Sequence, residues 1–204
     1  MTNWHRPLPH THDKNVDKYN VQFVPLWGVG GVSTIAVDSD ATTVAEDFLR
    51  SSGAGNPSYG YVTDSGIVGL RIDQAGDDVR FIWPIPWDCD VKSPINFAVM
   101  WSSDQTTTTD TFTWKVLYTD MTVDATTIDG APATALSTAI AADYNVGTAW
   151  ALQQTPWGVI NGGTLTNGHV LKMLVECDAT SGGSLGSDEV LAYFLVIRYV
   201  RRII

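Results

Sequence analysis

The chain has 204 residues and carries 12 Lys and Arg against 22 Asp and Glu, a formal net charge of −10. An apolar fraction of 44% excludes a disordered chain, and no apolar run is long enough to span a membrane. The acidic balance argues against nucleic acid as a partner, because phosphate binding requires clustered Lys and Arg.

The composition favours β-structure. The sequence contains 23 Thr and 8 Trp but only 5 Lys and 3 Glu. Thr and aromatic residues favour strands, whereas Lys and Glu are the usual residues of exposed helix faces. Asp, which prefers turns, supplies 19 of the 22 acidic residues. We therefore predict an all-β fold.

Residues 1–18 predict an extended arm, and residues 19–204 a single β-domain. Pro7 and Pro9 hold the backbone of the arm extended, and the polar stretch that follows cannot bury itself. Trp4 and Leu8 flank this proline pair, which indicates an arm that lies in a groove on another surface. A loose terminus with a stray Trp is the alternative.

The first part of the domain gives weaker signals. Residues 21–37 predict one or two strands, and Gly28–Gly31 predicts a bend between them, because the segment lacks the Lys-Ser/Thr of a phosphate-binding loop. Ala41–Arg50 predicts a short helix with Asp40 as its N-cap. No segment is long enough for a Rossmann-type crossover.

From residue 67 the apolar residues alternate with a period of two, which is typical of half-buried strands. Gly, Pro or Asp separates the successive runs, as in a β-sandwich. The alternating runs are Val79–Trp83, Ile95–Trp101, Thr111–Thr119 and Leu171–Cys177. Thr134–Ala142 is rich in Ala but also alternates, and we predict a strand there.

The last run, Val190–Ile197, is apolar at every position. Continuous apolarity is typical of a strand that is buried on both faces. Because the outer face of a two-layer sandwich is normally wet, we expect another copy of the chain to cover this strand. The residues expected at that subunit contact are Leu191, Tyr193, Leu195 and Ile197.

The sequence gives little support for a catalytic site or a metal site. Three of the four His lie in the arm, no GxSxG motif occurs, and a Ser-His-Asp site would depend on His169 alone. His169 follows a turn dipeptide and is expected to be an exposed residue at the start of a strand. His10 and His12 have a spacing that could hold a divalent ion, although a polar arm without a ligand is the commoner arrangement. We predict no cofactor and no enzymatic activity.

Cys89 and Cys177 are the two cysteines. Their separation does not indicate a disulfide framework, and no CxxC spacing offers a zinc site. We expect free thiols in a protein that is assembled in reducing cytosol, with a single bridge as the alternative.

The 8 Trp residues have different settings. Trp101 and Trp114 lie on the apolar faces of predicted strands and are expected in the core. Trp87 and Trp157 follow Pro86 and Pro156 in loop-like segments, where an indole ring can stack on a sugar or anchor a protein interface.

From Val79 onward the sequence resembles the small jelly-roll structural proteins of tailed bacteriophage virions. Six segments carry the resemblance in the same order, whereas residues 1–66 lie outside it. The segments are Trp87–Val91 leading into Pro94-Ile95, Val99–Ser103, Asp110–Tyr118, Leu136–Asp143, Thr155–Ile160 and Leu191–Tyr199.

The resemblance implies a jelly roll that assembles as a homotrimer and decorates or cements the capsid exterior after synthesis in the host cytoplasm. Its partners would be further copies of the chain and the major capsid protein, with neither nucleic acid nor a membrane. The arm would contact the capsid through Trp4, His5, Arg6 and Leu8.

A carbohydrate-binding jelly roll of a head fibre or tail is the alternative. It predicts that Trp87 and Trp157 are exposed and coplanar, so that both rings can stack on a glycan. An enzyme is a more distant alternative, because it would require a cleft of convergent carboxylates.

Overall fold

The computed structural model describes residues 19–26, 50–51, 58–61, 67–72, 78–108, 111–123, 131–179 and 190–202. Within these ranges the chain is built from strands and loops, and no helix occurs. The predicted arm (1–18) and residues 41–49 of the predicted helix lie outside the described residues.

Two antiparallel sheets contain thirteen described strands. Sheet 1 consists of β1 (Tyr19–Pro25), β3 (Ser58–Tyr61), β4 (Val68–Ile72), β6 (Ile95–Ser103), β10 (Gln153–Gln154), β11 (Gly158–Ile160) and β13 (Val190–Val200). Sheet 2 consists of β2 (Arg50–Ser51), β5 (Asp78–Pro84), β7 (Thr111–Met121), β8 (Thr134–Ala135), β9 (Asp143–Tyr144) and β12 (Val170–Ala179).

The strand pairings are nested. Strand β4 pairs with β13, β5 with β12, β6 with both β10 and β11, and β7 with both β8 and β9. Successive pairs alternate between the two sheets, as if one long hairpin had been wound into a roll. This winding is that of a jelly roll. The predicted all-β jelly-roll sandwich is therefore confirmed.

The sheets pack face to face through large aromatic side chains. Trp83 of β5 meets Phe97 of β6 edge-on, with ring centroids 6.5 Å apart. Trp101 of β6 contacts Phe112 and Trp114 of β7, at 5.1 and 6.0 Å. Trp101 and Trp114 are fully buried, as their alternation predicted. Edge-on rings at these distances add favourable packing to the area they bury.

The predicted strand over Thr134–Ala142 is much shorter in the structure. Only Thr134–Ala135 form β8, and beyond it Thr138 makes one isolated bridge to Val159 of β11. Leu136 and Ile140 nevertheless pack into the core. The alternation in this segment therefore marks apolar anchors on an irregular loop.

Strand β13 occupies the middle of sheet 1, with β6 on one side and both β4 and β1 on the other. Its pairing with β6 shifts between Ala192 and Phe194, so Tyr193 is the extra residue of a β-bulge. Before the bulge the odd-numbered Leu191 faces away from sheet 2. After it the odd-numbered residues Leu195 and Ile197 face sheet 2 and belong to the core.

The bulge bears on the residues that were expected at a subunit contact along β13. Leu191, Leu195 and Ile197 are 0% exposed and Tyr193 is 6% exposed within one protomer. The bulge places these four side chains on two different faces, so they offer no shared exposed surface on the protomer. The homotrimer and the position of its contact stay predictions.

Candidate interaction surface

Strand β1 turns two polar residues, Asn20 and Gln22, inward with Val24, and turns three apolar residues outward. Tyr19, Val21 and Phe23, which we call the β1 strip, are 51%, 44% and 56% exposed. Asn20 and Gln22 alternate with them and are half-buried. Folded proteins usually turn apolar side chains away from water, so a strand with the opposite polarity marks a surface that something else covers.

Hydrogen bonds to buried groups fix this orientation. The Trp83 indole N–H donates to Gln22 Oε1 at 2.8 Å, and Asn20 Nδ2 donates to the Tyr199 hydroxyl at 2.7 Å. Buried polar groups need partners of this kind. A slip of one residue would turn the strip inward but would leave the Trp83 and Tyr199 groups without these partners.

Arg198 of β13 lies beside the strip. It is directly opposite Val21 in the β1–β13 ladder, and both side chains point away from sheet 2, since the neighbouring Ile197 and Tyr199 belong to the core. Its guanidinium carbon is 4.3 Å from the centre of the Trp157 ring and 5.7 Å from that of Tyr19. These are cation–π contacts.

The Arg198 guanidinium lacks an anionic partner within the described residues. Its Nε is buried and has no hydrogen-bond acceptor. The described ion pairs instead join Arg80 to Asp78, Lys115 to Glu176 and Arg201 to Asp88.

The apolar surface continues past the strip. Phe23 packs edge-on against Phe194 of β13, with ring centroids 6.0 Å apart. We use the name β1 surface for the strip together with Trp157 and Arg198. It combines exposed apolar area with a cation held between two aromatic rings, which is the composition of a protein interface.

Trp87 lies in a separate setting, on the loop that follows β5. It is 74% exposed. The loop is tied to the chain end: Arg201 Nε donates to Asp88 Oδ2 at 2.9 Å, and the Arg202 backbone N–H donates to the Asp88 carbonyl at 2.6 Å. The exposed ring therefore stands on an anchored loop.

The predicted pair of exposed Trp rings is only half present. Trp87 is freely exposed, whereas Trp157 is half-buried and carries the Arg198 guanidinium on its ring. A glycan could stack on Trp87 without rearrangement, but the Trp157 ring is already occupied on the side of Arg198.

Both cysteines are buried thiols and do not form a disulfide, as predicted. Burial, with smaller contributions from the neighbouring Asp88 and Asp90 carboxylates, raises the pKa of the Cys89 thiol to about 12. A thiol with such a pKa is protonated and unreactive at neutral pH.

His169 has a partner that the sequence did not reveal. Its Nδ1 lies 2.9 Å from Asp120 Oδ1, and its Nε2 is 3.4 Å from the Thr122 hydroxyl. His169 precedes β12, and Asp120 and Thr122 stand at the end of β7. The contact between His169 and Asp120 links the start of β12 to the end of β7. It depends on the register between these strands, which the sequence alone does not give.

The arm residues Trp4, His5, Arg6 and Leu8, like His10 and His12, lie outside the described residues. Among the residues that are described, no three His, Cys, Asp or Glu side chains are grouped to hold a metal ion. The described part of the chain also has no helix that is long and apolar enough to cross a membrane.

No protein-family model and no curated protein matches the sequence. Among solved structures, the chain is similar to the CBM22-1–GH10 modules of Clostridium thermocellum xylanase 10B (15% identity, 76% of this chain and 26% of that one, TM-score 0.41). It is also similar to the xylan-binding module CBM15 (14%, 85% and 100%, TM-score 0.40). A third similar structure is that of infectious bursal disease virus strain Gt (14%, 85% and 37%, TM-score 0.34).

The chain thus spans about a quarter of the length of that xylanase chain. At these TM-scores the similarities carry no argument about function. What the strand order and packing define is the class: the described residues form a jelly-roll β-sandwich.

Proposed function

We propose that this chain is a non-enzymatic structural protein of a bacteriophage virion, a homotrimer that decorates the capsid and holds it through the N-terminal arm. The observation that carries the proposal is the inverted polarity of residues 19–23 of β1, where Tyr19, Val21 and Phe23 face solvent while the polar residues between them are bonded to the core. Such a strand serves contact with another macromolecule better than it serves catalysis.

The position of the arm supports this function. Residues 1–18 run directly into Tyr19, the first residue of the β1 strip. Arm and strip are therefore adjacent in sequence, and a homotrimer would present three arms to the capsid. Linked contacts of this kind raise holding strength by ~10²–10⁴ without a new chemical step.

The charge distribution is also consistent with docking. Residues 21–197 hold 6 basic against 20 acidic residues, whereas the arm holds Arg6, Lys14 and Lys18 against Asp13 and Asp17, a net charge of +1. A basic arm on an acidic body binds an acidic neighbour while the bodies repel one another at a distance.

Co-sedimentation with purified phage heads tests the arm. Deleting residues 1–18 should leave the oligomer unchanged by light scattering but abolish binding to heads. The matched control is a full-length chain in which the order of residues 1–18 is scrambled, so that charge and length are kept while Trp4 and Leu8 are moved. If the truncated chain still sediments with heads, the arm does not hold the capsid.

Carbohydrate binding is the second candidate, and the 74% exposure of Trp87 favours it. Isolated protein on a glycan array, followed by titration of intrinsic Trp fluorescence, tests it directly. Trp87→Ala should abolish any glycan signal, whereas Trp157→Ala, at a ring already stacked with Arg198, should reduce it little. Binding that survives Trp87→Ala would contradict this candidate.

A further inference from the structure

We propose that the β1 surface is the contact between copies of this chain, and that Arg198 of one copy binds a carboxylate of the next. The inference rests on the proposed self-association and adds to it the surface and the chemistry of the contact. It replaces the contact that the sequence predicted along β13, whose side chains are buried within the protomer.

The first argument is the state of Arg198. Its guanidinium is held between Trp157 and Tyr19, its Nε is buried without an acceptor, and it has no ion pair among the described residues. Arg198 as a whole is half-buried, but a buried polar atom such as its Nε normally has a hydrogen-bond partner. Acceptors are plentiful, because the chain has 22 acidic residues against 12 basic ones. The missing partner is therefore expected from outside the described part of the protomer.

The second argument is the surroundings of that cation. Tyr19, Val21 and Phe23 supply exposed apolar area around it. Protein interfaces concentrate their binding energy in aromatic and Arg side chains that become fully desolvated, and a charge pair is stronger once water is removed. A free anion would leave this apolar area wet, so the surroundings favour a protein partner.

The third argument identifies that partner as a second copy. The net charge of −10 means that every copy presents an excess of carboxylates, while Arg198 lies on a surface whose other members are uncharged. In a ring of three copies, each copy offers Arg198 to one neighbour and a carboxylate to the other, which closes the assembly.

Val21→Asp is the decisive variant. Val21 is 44% exposed and directly opposite Arg198, so an Asp there supplies the missing carboxylate from within the same protomer. It should compete with the neighbour's carboxylate and also remove apolar contact area. We expect the dissociation constant of the oligomer to rise on the order of 10²-fold.

Two controls separate the contributions. Ile82→Asp places the same charge on an equally exposed strand position of sheet 2, 47% exposed, and should leave association unchanged. Val21→Asn has nearly the shape of the Asp variant without its charge, and should weaken association about tenfold less than Val21→Asp. Arg198→Gln, which removes the cation, should resemble Val21→Asp. Urea unfolding of each variant shows that it is folded.

Light scattering over a concentration series supplies the readout. If Val21→Asp and Arg198→Gln associate like the wild type, the contact between copies lies elsewhere. The capsid-binding function is tested separately, by co-sedimentation with phage heads. If Val21→Asn and Val21→Asp weaken association equally, the carboxylate part is overturned. A wild-type chain that is monomeric at every concentration overturns both this contact and the proposed homotrimer. If Arg198→Gln loses binding to acidic glycans while the oligomeric mass stays unchanged, Arg198 binds a sugar and the proposal is overturned.

Discussion

Gln22 on β1 accepts a hydrogen bond from the indole N–H of Trp83 on β5, so one amide joins the first described strand of sheet 1 to the opposite sheet. The two residues are 61 positions apart, and Trp83 is buried between Phe97 and Tyr199. The contact decides which face of β1 meets the core, and so which face is presented to a neighbour.

Replacing Gln22 by Leu should therefore destabilise the protomer. The substitution leaves the buried indole N–H without an acceptor, at a cost of ~1–3 kcal/mol in the free energy of unfolding. Urea titration followed by Trp fluorescence measures it. Gln154→Leu on the exposed side of β10 is the matched control and should change stability little. Equal effects of the two variants would mean that the Gln22 bond contributes nothing specific.

The bulge in β13 depends on a second buried contact. The Tyr193 hydroxyl lies 2.7 Å from Ser102 Oγ, and Gly69 leaves room for the Tyr193 ring. Tyr193→Phe should cost ~0.5–1.5 kcal/mol, and Ser102→Ala a similar amount. The double variant should cost less than the sum, because it removes both polar groups at once. Strict additivity in the denaturant titrations would show that the two hydroxyls do not interact.

Gly162 allows a close approach between the loop after β11 and the loop before β6. A Cβ at this position would meet the backbone carbonyl of Lys92, which cannot move as a side chain can. We expect Gly162→Ala to lower the free energy of unfolding by ~1–3 kcal/mol. The neighbouring Asn161→Ala, at an exposed position, is the control for calorimetry. An unchanged melting temperature in Gly162→Ala would contradict the close approach.

Cys89 should make stability fall at high pH. Its pKa is raised to about 12 in the folded chain from an ordinary value of 9.0, so between these values the folded state holds a proton that the unfolded state has lost. Stability is then lost as the pH rises from about 9 toward 12. Urea titrations at several pH values should show a shallower fall for Cys89→Ala than for the wild type.

That comparison removes the contribution of other groups. Burial also raises the pKa of Tyr118 and Tyr199, and both act in the same direction in the wild type and in the variant. The difference between the two slopes therefore comes from the thiol, including its electrostatic effect on Tyr199. Parallel slopes would mean that Cys89 ionises equally in the folded and unfolded chains.

Much of the fold could be predicted because one face of most strands meets the core. Strands β5, β6, β7 and β12 match the alternating runs in the sequence, and their inward residues form the core. The same rule fails for β1. Its alternation is clear, but the pattern does not show which face is buried, and that depends on Trp83, which is distant in sequence.

The errors at β13 and His169 have related causes. In a run that is apolar at every position, no periodicity marks the residue at which the register shifts. The sequence therefore does not indicate the bulge at Tyr193. The partner of His169 follows from the pairing of β7 with β12 across 49 positions. Local patterns predict elements, whereas contacts of this kind require the register between elements.

The place of β13 also bears on how the chain folds as it is made. Strand β6 borders it on one side and β4 with β1 on the other, so sheet 1 is divided until residues 190–200 are available. Of the described strands, β13 is synthesised last. Since the long-range pairs of a roll form slowly, sheet 1 is expected to complete its folding only after residues 190–200 have been synthesised.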